Sequence, residues 1–143
     1  MVVARGYEFF EHTADVGAVV RGATLARLFE NAARALFDLI GDSRTVRPRR
    51  RVRLAVEGAG LEDLLVRWLS ELLYRHEVDR LIFSAFEVER VDRSRLRARG
   101  VAWGEPIDRR RHLLRHEVKA VTYHQLKIVR GRSAWRARIV FDI

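Results

Sequence analysis

The chain has 143 residues, of which 48% are hydrophobic, enough for one domain with a buried core. It contains no cysteine, which excludes disulfides, thiolate catalysis and cysteine zinc sites. The formal net charge is +9, and almost every cation is arginine. Such a charge indicates either contact with RNA, or with a partner that holds RNA, or an arginine bias spread over solvated surfaces.

No run of about 18 apolar residues is present, so the sequence predicts no membrane span. The first eight residues are too short and too soon interrupted by charge to form a signal peptide. We therefore expect a cytoplasmic protein with a single domain over residues 1–143.

Two strands and a helix are predicted in the first third of the chain. Residues 7–11 and 16–21 have strand character, with residues 12–15 as the turn between them. Thr24 is a suitable N-cap for a helix whose apolar residues recur at helical spacing as far as Ile40. Gly41 ends it.

A strand and a second helix follow a basic loop that contains the densest arginine run, residues 47–53. Val52, Leu54 and Val56 alternate with charged residues, which predicts a half-buried strand. Apolar residues from Leu61 to Leu73 then follow a helical period that includes Trp68, and we expect this stripe to be core.

The last half of the chain is predicted to be β-rich. Residues 82–91 and 96–103 form one strand pair, residues 104–116 are irregular, and residues 118–129 and 134–143 form a final pair. This order predicts an α+β fold with two helices on mostly antiparallel sheet, or two sheets around the helices. Asp142 should point away from the apolar stripe of the last strand. Trp103 could anchor a partner, but we expect it to pack in the core.

Short acidic side chains stand near both ends of the chain. Asp15 follows the first strand, and Asp142 precedes Ile143, whose terminal carboxylate adds a third anionic group. If the first and last strands are neighbours, these oxygens would suit a hard cation such as Ca²⁺ or Mg²⁺. His12 could be a further ligand or a hydrogen-bond donor. The alternative is that these residues only cap a turn and end a strand.

A second polar group is the segment 117–124, which contains Lys119, Tyr123 and His124. Only two lysines occur in this arginine-rich chain, and an ammonium is a compact charge whose pKa can shift. The segment is either a contact surface for a phosphate, a nucleotide or an acidic partner, or a strand with solvated polar side chains. No Walker loop, dinucleotide fingerprint, nucleophile elbow or H-E-x-x-H motif is present, which argues against an enzyme, although a metal-dependent hydrolase remains a third interpretation.

Several segments together resemble one family, the archeases. They are H-T-A-D at 12–15, L-F-E-N-A-A at 28–33, A-W-G-E-P at 102–106, V-K-A-V-T-Y-H at 118–124 and the terminal F-D-I. The resemblance covers nearly the whole chain in the same order. The chain departs from the usual pattern at Gln125, where many relatives have glycine, and in its strongly basic charge.

The resemblance implies a non-catalytic activator of the GTP- and Mn²⁺-dependent tRNA-splicing ligase. Such a protein promotes guanylylation of the ligase and its multiple turnover. The implied metal site, usually associated with calcium, uses Asp15, Asp142 and Ile143 with His12 beside them, and Lys119, Tyr123 and His124 would belong to the partner-binding surface. The remaining alternative is a basic RNA-binding or chaperone module for tRNA-processing enzymes, which could contact tRNA through its arginines.

Overall fold

The structure is a computed structural model, and it describes residues 6–11 and 15–143. Within these residues the chain forms two α-helices, a short 3-10 turn at Ser43–Thr45 and seven strands. In chain order the helices and strands are β1 (Tyr7–Glu11), β2 (Asp15–Gly22), α1 (Leu25–Ile40), β3 (Arg50–Glu57), α2 (Leu61–Glu77), β4 (Leu81–Asp92), β5 (Arg97–Pro106), β6 (Ala120–Arg130) and β7 (Trp135–Asp142).

The strands form two antiparallel sheets with the helices between them. The four-stranded sheet has the order β1-β2-β7-β6, and the three-stranded sheet has the order β3-β5-β4. Both α1 and α2 contact strands of both sheets. This arrangement confirms the α+β prediction, in its version with two sheets around the helices. It leaves one face of each sheet on the outside of the molecule.

Helix α1 begins and ends where the sequence predicts. The Thr24 hydroxyl accepts a hydrogen bond from the Arg27 amide at 3.1 Å, and the Gly41 amide donates to the Phe37 carbonyl at 3.0 Å. Most of its side chains are buried, because α1 packs against β2 on one side and β4 on the other. A helix between two layers has little surface left for water.

Helix α2 contributes the largest fully buried side chain, Trp68. Its indole nitrogen donates to the Phe29 carbonyl of α1 at 3.1 Å, which satisfies the polar end of the ring inside the core. The leucines at the predicted helical spacing, from Leu64 to Leu73, are buried around it. The stripe is therefore core, as expected.

Strand β7 shows the predicted alternation. Ala137, Ile139 and Phe141 are buried in the core, whereas Arg136 and Arg138 are exposed. Asp142 belongs to the same series as these arginines, so it faces away from the helices.

The expectation for Trp103 is wrong. Strand β5 continues to Pro106, and its small residues Ala102 and Gly104 face the helices, so Trp103 lies half-buried on the outer face. Gly104 allows β4 to come close, because a Cβ added there would lie 1.9 Å from the Ile82 carbonyl oxygen. The small side chains of Ala102 and Gly104 therefore face the helices, and the Trp103 indole lies on the opposite face of β5.

Within the described ranges, neither helix has the length and apolar character needed to cross a membrane.

Candidate functional site

The two aspartates from opposite ends of the sequence meet at one end of the four-stranded sheet. Strand β7 pairs with β2, and in this register Asp15 lies directly opposite Asp142. Side chains of directly opposed residues in antiparallel strands lie on the same face, with Cβ atoms about 4.5–5.5 Å apart. The first strand, β1, does not pair with β7. Asp15 is the first residue of β2 and not part of a turn, and it is the pairing of β2 with β7 that brings Asp15 and Asp142 together.

The carboxylates of this pair are not neutralised within the described part of the chain. Both residues are half-buried. The Asp15 Oδ1 atom is buried and has no hydrogen-bond partner among residues 6–11 and 15–143. No lysine or arginine among residues 6–11 and 15–143 forms an ion pair with either aspartate. An unsatisfied buried carboxylate oxygen beside a second carboxylate is a donor set that suits a hard divalent cation.

The other two predicted metal ligands are less fully defined. Ile143 follows Asp142 directly, and its half-buried side chain packs against the core, which fixes the chain beside the aspartate pair. His12 lies outside the described residues. Within the described ranges, no third acidic or histidine side chain joins the pair to complete a metal cluster.

Lys119 lies beside this acidic end. Its amide donates to the Asp142 carbonyl at 2.7 Å, and the next residue, Ala120, is directly opposite Asp142 in the register of β6 and β7. Asp142 therefore has Asp15 on one side and the Lys119–Ala120 segment on the other. The Lys119 side chain is exposed, so its ammonium is accessible to a partner near the carboxylates.

Tyr123 and His124 lie further along β6, about 10 Å and about 13 Å from Ala120 by strand rise. The pairing with β7 is interrupted between Thr122 and Lys127. Within this irregular segment Tyr123 turns towards α2 and donates a hydrogen bond to Asp63 Oδ1 at 2.5 Å. His124 is exposed. Of the predicted partner-binding residues, Tyr123 and His124 lie on β6 and Lys119 comes immediately before it, but Tyr123 is hydrogen-bonded to α2 and not to the acidic end.

The contact of Tyr123 with Asp63 is supported by the charge distribution at the start of α2. The Tyr123 hydroxyl, the Ala59 amide and Arg67 all donate to the Asp63 carboxylate, and they lower its pKa from 3.8 to about 2. The same hydrogen bond raises the pKa of Tyr123. Asp63 is therefore ionised at neutral pH and holds the Tyr123 segment in place.

A buried polar network that was not predicted from the sequence fixes the loop before β6. Glu105 accepts hydrogen bonds from both Arg111 Nη atoms at 2.7 and 2.9 Å and from the Arg47 amide at 2.8 Å. These contacts, Arg111 first, hold the pKa of Glu105 far below its ordinary value. A single carboxylate within the apolar segment 101–107 was the signal that could have indicated the network.

His112 completes the network in one tautomer. Its Nδ1 lies 2.9 Å from the Asp108 amide, which can only donate, so Nδ1 accepts. The hydrogen is then on Nε2, which donates to Glu105 at 2.8 Å. Because Glu105 and His112 are both buried, this network anchors the loop that leads to Lys119.

The same loop satisfies the end of α1. The Arg115 amide donates to the Ile40 carbonyl at 2.8 Å, and the His116 amide donates to the Leu39 carbonyl at 3.1 Å. The last carbonyls of a helix have no partner within the helix, so these bonds replace water at its C-terminus. The loop, and with it Lys119, is held against the middle layer of the fold.

The comparisons with known proteins agree with the resemblance. Residues 7–143 match the sequence profile described as "Archease protein family (MTH1598/TM1083)". The chain belongs to the archease family. It is 45% identical to "Protein archease" of Methanopyrus kandleri over 138 residues, covering 96% of this chain and 99% of the relative. It is 44% identical to "Protein archease" of Pyrococcus furiosus, covering 97% of this chain and 99% of the relative.

Solved structures show the same fold. The solution structure of protein 1598 of Methanobacterium thermoautotrophicum superposes with a TM-score of 0.76 at 35% identity, over 97% of this chain and 99% of the other. A crystal structure from Thermotoga maritima, described as an archease and possible chaperone, gives a TM-score of 0.64 at 19% identity over 94% of each chain. The second likeness supports the fold alone.

Proposed function

We propose that this archease activates a tRNA-splicing RNA ligase and that it acts through a divalent cation held by Asp15 and Asp142. Membership of the archease family supports the choice of partner. The observation that carries the metal part is the direct opposition of Asp15 and Asp142, with the buried Oδ1 of Asp15 unsatisfied. The cation would be calcium, with the Ile143 carboxylate and His12 as further ligands.

The fold explains why the two aspartates can bind an ion. Each is fixed by the hydrogen-bonded pairing of β2 with β7, so neither loses much backbone freedom on binding. Two carboxylates on one sheet face repel each other, and a bound Ca²⁺ supplies the positive charge that removes this repulsion. The chain thereby presents a rigid end whose charge depends on the ion.

Lys119 is the residue that we assign to the ligase contact. It is exposed, and its amide is bonded to Asp142, so a partner that contacts the acidic end also meets this ammonium. In the proposed activity, this end of the archease approaches the ligase active site and helps to position GTP during guanylylation of the ligase. Positioning and charge stabilisation are the contributions that a non-catalytic protein can make to such a reaction.

The proposal is tested by ligation of RNA ends under multiple-turnover conditions, with the ligase and a substoichiometric amount of this protein. Asp142→Asn and Asp15→Asn should reduce the stimulation at least tenfold, because each removes a carboxylate from the pair. Binding of Ca²⁺ alone, measured by calorimetry, should be lost in the same variants. Lys119→Ala should reduce stimulation but retain Ca²⁺ binding, because only its main-chain amide contacts Asp142.

The matched control is Asp79→Asn, an exposed aspartate at the end of α2 whose ion pair with Arg75 is long, at 3.7 Å. It removes the same charge and should leave stimulation and Ca²⁺ binding unchanged. Full stimulation by both Asp15→Asn and Asp142→Asn would refute the proposed mechanism.

The alternative, a chaperone or RNA-binding module, makes a different prediction in the same assay. A chaperone that only keeps the ligase soluble would act in stoichiometric amounts and would not require the aspartate pair. If a substoichiometric amount of the wild-type protein restores ligase turnover, and the Asp15 and Asp142 variants do not, the protein activates the ligase and does not merely keep it soluble.

A further inference from the structure

The outer face of the four-stranded sheet carries four cations close together. Arg21 on β2 lies directly opposite Arg136 on β7, and Arg138 on β7 lies directly opposite Lys127 on β6. All four belong to the series that faces away from the helices, because their neighbours in sequence, such as Val20, pack in the core. We call these residues, Arg21, Lys127, Arg136 and Arg138, the cationic sheet face.

This arrangement is unfavourable for the fold by itself. Like charges directly opposite each other on antiparallel strands destabilise the pair by up to about 1 kcal/mol. Arg21 has a weak ion pair with Glu8 at 3.9 Å. In the described part of the chain, Lys127, Arg136 and Arg138 have no carboxylate partner at all. Their charge is therefore available to an anion from outside.

An aromatic ring fixes one of these cations. The Arg138 guanidinium carbon lies 4.1 Å from the centroid of the Phe10 ring. Phe10 can lie flat over β2 because Gly17 is opposite it, and a Cβ at Gly17 would come within 2.0 Å of the ring. A guanidinium stacked on a ring keeps its fork of donors free for a phosphate.

The arginine runs that the sequence singles out are neutralised in part. Arg111, in the run 109–111, is bonded to the buried Glu105, and Arg53, in the run 47–53, pairs with Glu89 at 3.6 Å. The other arginines of these runs, such as Arg51, Arg109 and Arg110, have no carboxylate partner among the described residues, so the runs are a second source of available charge that the control variant has to exclude. The cationic sheet face has no such run, and it is assembled from three strands.

We infer that the cationic sheet face binds RNA through phosphate groups, without reading the base sequence. The Cα positions of these residues repeat about 7 Å apart along β7 and about 5 Å apart between neighbouring strands, a spacing that an extended polyanion can follow. Three of the four are arginines, whose planar fork matches the oxygens of a phosphate. A folded acidic protein would have to match these positions with carboxylates, whereas a nucleic acid backbone brings regularly spaced anions.

The inference does not depend on the ligase proposal, because it concerns a different surface and a different ligand. Arg138 and Asp142 are four residues apart on one face of β7, or about 14 Å by strand rise. Binding of RNA to the cationic sheet face therefore does not require the carboxylates of the acidic end.

The test is binding of a single-stranded RNA 20-mer to this protein alone, measured by fluorescence anisotropy over a range of salt concentrations. The triple variant Lys127→Gln, Arg136→Gln, Arg138→Gln removes three phosphate contacts. The slope of log K against log salt should fall by about 2, and affinity at 0.1 M salt should fall roughly 100-fold. A scrambled 20-mer should bind wild-type protein as well as the first RNA.

The control triple variant is Arg51→Gln, Arg109→Gln, Arg110→Gln. These exposed arginines have no carboxylate partner among residues 6–11 and 15–143, so the variant loses the same three charges from other surfaces. It should retain RNA affinity within about threefold. The unfolding temperature of the sheet-face variant should be the same as that of the wild type or slightly higher, because two like-charge pairs are removed.

Equal losses in the two triple variants would overturn the inference, since net charge alone would then explain binding. Unchanged affinity in the sheet-face variant would also overturn it. So would displacement of RNA by polyglutamate of equal charge at equal concentration, because the face would then recognise acidic polypeptide as well as phosphate.

Discussion

The charges of Asp15 and Asp142 do not contribute to the stability of the sheet. Asp15 and Asp142 are directly opposed and half-buried, and one oxygen of Asp15 is buried without a hydrogen bond among the described residues. Within residues 6–11 and 15–143, the fold therefore holds a carboxylate pair that has no compensating positive charge. Residues that cost stability in the absence of a ligand are expected at binding sites.

We predict that replacing Asp142 changes the free energy of unfolding in opposite directions with and without Ca²⁺. Asp142→Asn should raise the free energy of unfolding of the metal-free protein by up to about 1 kcal/mol, because it removes the like-charge repulsion. In wild-type protein, Ca²⁺ at 100 times its Kd should add about 2.7 kcal/mol, and this gain should vanish in the variant. Urea unfolding with chelator and with Ca²⁺ measures both.

Asp79→Asn serves as the control, with the Ca²⁺-dependent gain retained. If Asp142→Asn instead destabilises the chelated protein by more than 1 kcal/mol, the aspartate has a structural partner and the cation site is wrong.

Among the elements, β6 is the one that departs most from regular structure. Its pairing with β7 is interrupted between Thr122 and Lys127, and Gln125 has φ of 53°, in the left-handed region that favours glycine. The resemblance noted in the sequence leads us to expect glycine at this position. Two hydrogen bonds to the start of α2 hold this strained segment in place. The Tyr123 hydroxyl donates to Asp63, and the Ile128 amide donates to Glu62 at 3.2 Å.

We predict that Tyr123→Phe raises the pKa of Asp63 from about 2 towards 3.8, since the Tyr123 hydroxyl is the largest cause of the lowered value. A carboxylate with a lowered folded pKa stabilises the protein above its unfolded value, near pH 4, and that stability is lost as the pH falls towards 2. The variant should therefore lose less stability between pH 4 and pH 2. NMR titration of the Asp63 carboxyl carbon and acid unfolding provide the measurements.

Tyr74→Phe is the matched control, because Tyr74 is exposed to a similar extent, 54% against 58% for Tyr123. It should leave the Asp63 titration in place. An Asp63 pKa that stays near 2 in Tyr123→Phe would show that Arg67 and the Ala59 amide suffice.

Helices could be predicted from sequence better than the faces of strands. The extent of α1 follows from a capping threonine, a helical apolar period and a terminal glycine, all of which are local signals. Trp103 was expected in the core, but the type of a side chain does not decide which face of a strand is buried. That choice depends on which residues of β5 pack against the helices, and no local pattern shows this.

For the whole molecule, the four-stranded sheet joins the two ends of the chain. β7 lies between β2 and β6, so Asp142 is held from both sides. An ion between Asp15 and Asp142 would connect two strands that are more than 100 residues apart in sequence. Binding should therefore stabilise one end of this sheet more than the rest of the protein.

We predict that Ca²⁺ slows amide hydrogen exchange mainly in residues 15–17 and 140–143, and in the Lys119 amide that is bonded to Asp142. Amides of β3, β4 and β5 should change much less, because the three-stranded sheet lies across the helices. Exchange followed by mass spectrometry, with Mg²⁺ and chelator as comparisons, would show the pattern. Uniform protection of both sheets, or none, would contradict a site at this end.

The sequence alone determined the α+β class, both helices, the alternation of β7 and, through a combination of short motifs, the family. These features depend on the spacing of residues that are close together in the sequence, and on short motifs. Only the tertiary structure decided that Asp15 faces Asp142, that Arg111 is neutralised by Glu105, and that four cations from three strands share one face. The physical reason is that strand order and register bring together residues that are distant along the chain. The same pairing determines which charges have no partner of opposite sign.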